Sequence, residues 1–314
     1  MPLSPIRFEA CPPDDRAQAL AMLYQRLRAE WRQAAVEEAL EEVEAGTVDL
    51  SCFWVARRGK KLVGVMLTQI LAGRAAAVWP PEVEKGWSRR RITDGLVSFA
   101  LERLRERGIL VAQALLDPSS IGPHAAEDLN RGGLARVTTL TYLDRATSNP
   151  FILARNLPRF EWHSFSDRTE PAFRNVIEAT YRDSLDMPEL EDVRSIDRVR
   201  ETQLEQNRFD PARWQLGLIP GEPDAAAILL MSDIPERNAW EVSYLGLTPQ
   251  ARRRGLGRAI IHRALQIAAP CVPRIELAVD ERNTPAERLY ASTGFLPFDS
   301  RVVHIALLGR ADSP

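Results

Sequence analysis

The chain has 314 residues, a length that implies two domains of ordinary size. Hydrophobic residues at 45% and charged residues at 27% exclude a mainly disordered chain, a collagen-like fibre and a disulfide-stapled miniprotein. A net charge of −2, from 41 basic and 43 acidic residues, argues against a dedicated nucleic-acid binder, whose surface carries an excess of positive charge.

The opening segment MPLSPIRFEACPPDD lacks the apolar run of a secretory leader. No later stretch is apolar for the ~18 residues that a membrane span needs. The expected setting is therefore the cytoplasm, with no membrane partner. Ile6-Arg7-Phe8-Glu9 reads as a first strand, followed by a long polar-apolar helical region from Asp15 to Glu44. Cys52–Ala56 and Leu62–Leu67 then flank a turn around Arg58-Gly59-Lys60, a hairpin signal. Leu96, Val97, Ala100, Leu101 and Leu104 form the apolar stripe of an amphipathic helix. The strand Val111–Leu116 ends at Asp117, and a short helix and a last strand follow.

The segment Asp144 to Pro158 breaks this periodicity with the turn chemistry of Thr147-Ser148-Asn149-Pro150. After it the same order recurs. Arg159-Phe160-Glu161-Trp162 opens a strand, and Arg168 to Gln206 is helical. Trp214–Ile219 and Ala225–Met231 form the second hairpin across Pro220-Gly221-Glu222-Pro223. Ile260, Ile261, Ala264, Leu265 and Ala268 repeat the helix stripe with identical spacing. Ile275–Val279 ends at Asp280, again followed by a short helix and a strand. The order β-α-α-β-β-β-α-β-α-β thus occurs twice, which predicts an α+β fold with a mixed, mostly antiparallel sheet and flanking helices. The expected domains are residues 1–145 and 159–314, joined by a linker over 146–158.

Only three of the 41 basic residues are lysines (Lys60, Lys61, Lys85), so anion contacts in this protein fall to arginine. Cys11, Cys52 and Cys271 are too widely spaced for a disulfide framework or a zinc site, and the four histidines are scattered. No metal is expected. The informative stretch is Glu241 to Arg258, a strand, a Thr248-Pro249 turn and an Arg/Gly loop that opens a helix. A helix start carries unsatisfied N–H groups and the positive end of the dipole. Gly255 and Gly257 would let the backbone approach an anion closely, and Arg252, Arg253, Arg254 and Arg258 crowd positive charge at that end. Cations oppose the dipole there, so the placement makes sense with an anion bound.

Arg252-x-x-Gly255-x-Gly257 resembles the pyrophosphate loop of the GNAT superfamily of N-acetyltransferases. Asn283-x-x-Ala286-x-x-Leu289-Tyr290-x-x-x-Gly294-Phe295, one helix and one strand later, resembles a second block of that family. The resemblance covers Phe160 to Leu308, and it extends to the first half only through the repeat. It implies two tandem GNAT-like domains and acetyl-CoA as cosubstrate. Leu245, Gly246 and Leu247 would form a splayed strand that pairs with the pantetheine arm, with an N–H near Leu247 on the thioester carbonyl. Arg252, Arg253, Arg254, Gly255, Leu256, Gly257 and Arg258 would hold the pyrophosphate. Asn283 and Ala286 would order the next turn beside the cofactor. Tyr290 would protonate the departing thiolate, and Glu241 would remove the amine proton, often through water.

Each assignment has a plainer rival. Glu241 is also readable as a strand-edge carboxylate paired with an arginine, Tyr290 as a packed aromatic and the Arg cluster as a solvated patch. His262 reads as a structural helix residue, and Cys271 as a small residue with no histidine near it in sequence. Aligning Leu96 with Ile260 sets Arg91 opposite Gly255 and Thr93 opposite Gly257, while Asn130 takes the place of Tyr290. The first copy is thus expected to be degenerate, with one acetyl-CoA per chain.

The acidic run Asp183 to Asp192 lies where the family lines its acceptor side. It is readable either as a wall that favours a cationic amine or as a solvated loop. The expected function is transfer of an acetyl group to a primary amine, on a small molecule or peptide, by direct attack. The alternatives are a mycothiol-synthase-like member of the same family and a CoA-binding sensor or scaffold without turnover. A nucleic-acid module would rest on the Arg cluster alone. A monomer and a homodimer are both compatible with the sequence.

Overall fold

The computed structural model describes residues 5–151, 159–193, 196–205 and 208–309. Most of the expected linker, residues 152–158, lies outside the described residues. In chain order the elements are β1 (Ile6–Ala10), α1 (Arg16–Leu23), α2 (Ala29–Glu44), β2 (Phe53–Arg58), β3 (Lys61–Leu71), β4 (Ala75–Val78), β5 (Glu82–Val83), α3 (Arg89–Glu106), β6 (Val111–Leu116), α4 (Ala125–Gly132) and β7 (Ala135–Ala146). Then come β8 (Glu161–Ser164), α5 (Glu170–Tyr181), α6 (Ile196–Glu205), β9 (Trp214–Leu218), β10 (Ala225–Ile234), β11 (Ala239–Leu247), α7 (Leu256–Ala268), β12 (Arg274–Asp280), α8 (Thr284–Ser292) and β13 (Leu296–Leu307). The α+β class with a mixed sheet and flanking helices is what the sequence predicts. Among the described residues no helix is long and apolar enough to cross a membrane.

The chain divides into two compact units, one of residues 1–137 and 302–314, the other of residues 138–301. In the first unit the strands run β1-β2-β3-β4-β6, antiparallel except for the parallel pair β4/β6, and Val302–Leu307 of β13 closes against β6. Alternation along β2 sorts the core. Phe53 and Val55 pack with α1 and α2, while Trp54 and Ala56 join the apolar faces of α3 and α4.

In the second unit the order is β8-β9-β10-β11-β12-β7. Here β10 does the sorting. Ala227, Leu229 and Met231 pack under α7, while Ile228 and Leu230 face α5 and α6. Each unit therefore takes its closing strand from the other sequence half. From residue 138 onward β7 pairs with β12, and from residue 302 onward β13 pairs with β6. Period-2 patterning specifies which face of a strand is buried and leaves its partner open, so a contiguous reading of the halves does not reveal this exchange.

Candidate active site

β11 is the strand on which the site turns. Leu230 of β10 faces Tyr244, but the next residue, Met231, faces Val242. Ser243 is thus the extra residue of a β-bulge, a feature that re-aims side chains and bends a strand. On its other side β11 pairs with β12 only through Ala239, Trp240 and Glu241. Beyond Glu241 the two strands part, since β12 continues along β7 as far as Asp280. Val242–Leu247 thereby keeps backbone groups that have no partner on β12.

The loop after β11 leads to α7, which starts at Leu256 with Gly255 as its N-cap at φ +76°. Arg253 also sits at positive φ, +60°. Among the described residues the N–H groups of Arg253 through Gly257 find no backbone acceptor, which leaves a concave row of donors at a dipole's positive end. The two glycines do different work. Gly255 supplies a left-handed conformation. At Gly257 an added Cβ would stand 2.7 Å from Leu289 Cδ2, so its missing side chain serves the close packing of α7 on α8.

The arginines also differ. Arg252, expected on the phosphates, points back instead. Its guanidinium donates to the carbonyls of Leu247, Thr180, Arg182 and Asp183 and so closes the C-terminal end of α5. Arg254 pairs with Glu222 at 3.0 Å and does not line the cavity described below. Arg258 donates to Ser292 and lies over the Phe151 ring. Arg253 and Arg258 line the cavity, together with Arg288 from α8.

α8 begins at Asn283, whose side chain accepts the Ala286 N–H at 3.3 Å and so caps the helix. One turn later Tyr290 is buried at 7% exposure, edge-on to Phe295. Among the described residues nothing hydrogen-bonds its hydroxyl. Burial raises its pKa, and the charge of Asp186 and the neighbouring Tyr244 add to the effect. Tyr244 reaches across to α5, with its hydroxyl 2.9 Å from Thr180 Oγ1.

These pieces enclose a cavity of about 1020 Å³, at the upper end for small-molecule sites. Of the expected residues, Leu245, Gly246, Leu247, Arg252, Arg253, Gly255, Leu256, Gly257, Arg258, Asn283, Ala286 and Tyr290 line it. Glu241 and Arg254 do not. Glu241 lies two residues before the bulge, opposite Ser232. Burial raises its pKa, opposed by the positive charges of Arg208 and Arg237 and by the hydrogen bond with Ser232. Sequence reasoning passed over Ser243, Tyr244, Thr180 and Arg288. Only Arg288, inside the second motif, carried a visible signal.

The acidic run splits between two tasks. Asp183 and Asp186 line the cavity, whereas Glu189 forms a two-pronged pair with Arg282 at 2.6 and 3.0 Å. Asp183 and Met187 both hold positive φ, and the Met187 N–H donates to Asp280 at 3.1 Å. Asp280 is fully buried. Burial opposes its charge, but Arg282, Thr138 and two backbone N–H groups outweigh this and hold its carboxyl below the usual range. Its stabilisation is therefore present above the ordinary carboxylate pKa and is lost as the pH falls through the depressed folded value. Asp280→Ala is expected to cost about 3 kcal/mol in urea denaturation at pH 7, because it strands buried donors. An unchanged midpoint would mean that the clamp is ornamental.

In the first unit the corresponding helix start is filled. Arg89 and Arg131 both grip Asp128, which is 1% exposed, and Thr93 closes the gap.

Residues 177–295 match the model of the acetyltransferase (GNAT) family. A mycothiol acetyltransferase from Beutenbergia cavernae is 33% identical over 189 residues, which cover 56% of this chain and 61% of that one. Another mycothiol acetyltransferase, from Kineococcus radiotolerans, is 40% identical over 87 residues, 28% of this chain and 27% of that one. The match thus spans less than two thirds of the length of either relative. A GCN5-related N-acetyltransferase from Sphaerobacter thermophilus shares the fold over 98% of both chains, with a TM-score of 0.57 at 18% identity.

Proposed function

We propose, from the premise that residues 177–295 of this chain form a GNAT-family domain, that the protein is an acetyl-CoA-dependent N-acetyltransferase with one active centre, in its second half. The observation that carries the reading is a single cavity that joins three features. They are the parted edge of β11, the row of free N–H groups from Arg253 to Gly257, and the unpaired hydroxyl of Tyr290.

The diphosphate of acetyl-CoA fits the N–H row, with Arg253, Arg258 and Arg288 neutralising its charge. Its pantetheine arm can then lie along Val242–Leu247 as an added strand. A backbone N–H of this segment would donate to the thioester oxygen as negative charge grows there. The acceptor is a primary amine, which must lose a proton before it attacks. Glu241, its pKa raised by burial, is the base, and Tyr290 gives a proton to the leaving sulfur. Asp183 and Asp186 at the cavity favour a cationic acceptor.

A second reading narrows the acceptor to that of the mycothiol acetyltransferases, and both curated relatives favour it. Incubation with acetyl-CoA and a panel of amines should release free thiol and N-acetylated product, with cationic amines preferred over acidic ones. Tight CoA binding without thiol release would favour a sensor instead. Calorimetric titration should give one acetyl-CoA per chain, because the Arg89–Asp128–Arg131 cluster fills the first unit's helix start. A stoichiometry of two would refute the single-site reading.

A further inference from the structure

The base proposed above does not touch the cavity, whereas the bulge residue two positions later does. Between them stands a chain of hydrogen bonds with one direction. Trp214 Nε1 donates to Gln203 Oε1 at 2.9 Å. An indole N–H can only donate, so the Gln203 amide is oriented with its NH₂ outward. That NH₂ donates to Ser243 Oγ at 3.3 Å. Ser243 Oγ lies 2.8 Å from Ser232 Oγ, and Ser232 stands directly opposite Glu241 across the β10/β11 pair, where it helps to hold the carboxyl's pKa down. With Gln203 donating to Ser243, the Ser243 hydroxyl is free to donate to Ser232, and Ser232 to Glu241. Trp214, Gln203 and Ser232 are all buried, at 0%, 4% and 2% exposure, while Ser243 is exposed. Ser243, at the cavity, is the exposed member, and Glu241 is half-buried.

We propose that Ser243 and Ser232 form a proton relay from the acceptor amine in the cavity to the Glu241 carboxylate. The inference rests on the N-acetyltransferase reading. In the step, an N–H bond of the alkylammonium acceptor breaks and its proton passes to Ser243 Oγ. The Ser243 proton passes to Ser232 Oγ, and the Ser232 proton to the carboxylate. The products are a neutral amine and a neutral Glu241, so one positive and one negative charge disappear together. The amine lone pair is then free for the thioester carbon. Arg208 and Arg237 face Glu241, with Glu276 on β12 and Tyr142 on β7 as its other ionisable neighbours. All four are left intact in the test.

The test compares wild type with Ser243→Ala, Ser232→Ala, Ser243→Thr and Glu241→Gln, using acetyl-CoA with tyramine, spermidine and lysine methyl ester as acceptors. Each alanine variant should lower kcat about 10–100-fold, at or below the low end of the ~10²–10⁴-fold span for losing a general base, because Glu241 itself stays in place. Acetyl-CoA affinity by calorimetry should stay within about twofold, which also reports that the variants are folded. Ser243→Thr, which keeps the hydroxyl, should recover most of the rate. Ser243→Ala added to Glu241→Gln should cost nothing further, because members of one relay do not act additively. Wild-type kcat in the alanine variants, or losses that add to that of Glu241→Gln, would overturn the relay while leaving the acetyltransferase reading standing. A wild-type protein that binds acetyl-CoA but transfers to none of the three amines would overturn both.

Discussion

Replacing Tyr290 with phenylalanine is expected to lower kcat for acetyl transfer about 100-fold or more and to leave acetyl-CoA affinity nearly unchanged. The ring is packed against Phe295 and would stay there, so the substitution removes only an oxygen and its proton. Tyr290 lines the cavity, and its hydroxyl has no hydrogen-bond partner among the described residues. Burial, Asp186 and Tyr244 all push the phenol's pKa upward, so it keeps its proton through the neutral range. A donor that holds its proton until a thiolate forms beside it stabilises that thiolate selectively, and the loss should fall on kcat. Any alkaline decline owed to Tyr290 should sit above about pH 10, the ordinary tyrosine value. An unchanged kcat would remove its role as the acid. A matching loss of affinity would make it a packing residue.

Gly255→Val is expected to weaken acetyl-CoA binding by about 10–100-fold, since a β-branched residue at φ +76° costs on the order of 1–3 kcal/mol. The strain is relieved by turning the peptide planes on either side, and those planes carry the N–H groups that would meet the diphosphate. Gly255→Asn should bind more tightly than the valine variant, because asparagine tolerates the left-handed region. Calorimetry with acetyl-CoA and thermal melting separate the local effect from unfolding. Wild-type affinity in the valine variant would show that the loop conformation is not what holds the ligand.

Much of this architecture is legible in the sequence. The helix stripe through Ile260, Ile261 and Ala264 and the alternation along β10 assign faces correctly, because burial follows period. The two motif blocks locate the loop and α8, because Gly255 and Asn283 answer local backbone demands. What the sequence hides is long-range or directional. Arg252 reads as a phosphate ligand, yet α5 ends within its reach and four carbonyls take its donors. Glu241 reads as facing the substrate, but one extra residue at Ser243 redirects the strand, and a serine carries no mark of a bulge. The acidic run shows its charge but not that Asp186 meets the cavity while Glu189 is spent on Arg282.

The closing strands that each unit takes from the opposite half have a consequence for how the protein is made. β6 emerges from the ribosome early, but the strand that lies against it, Val302–Leu307, is synthesised roughly 190 residues later. Until then the first unit has an open edge and lacks Ala306 and Leu308 from its core. The first unit cannot complete its sheet until the last strand of the chain has been translated. A chain released between Asp280 and Val302 would carry one complete sheet, that of the second unit, and one that still lacks its closing strand.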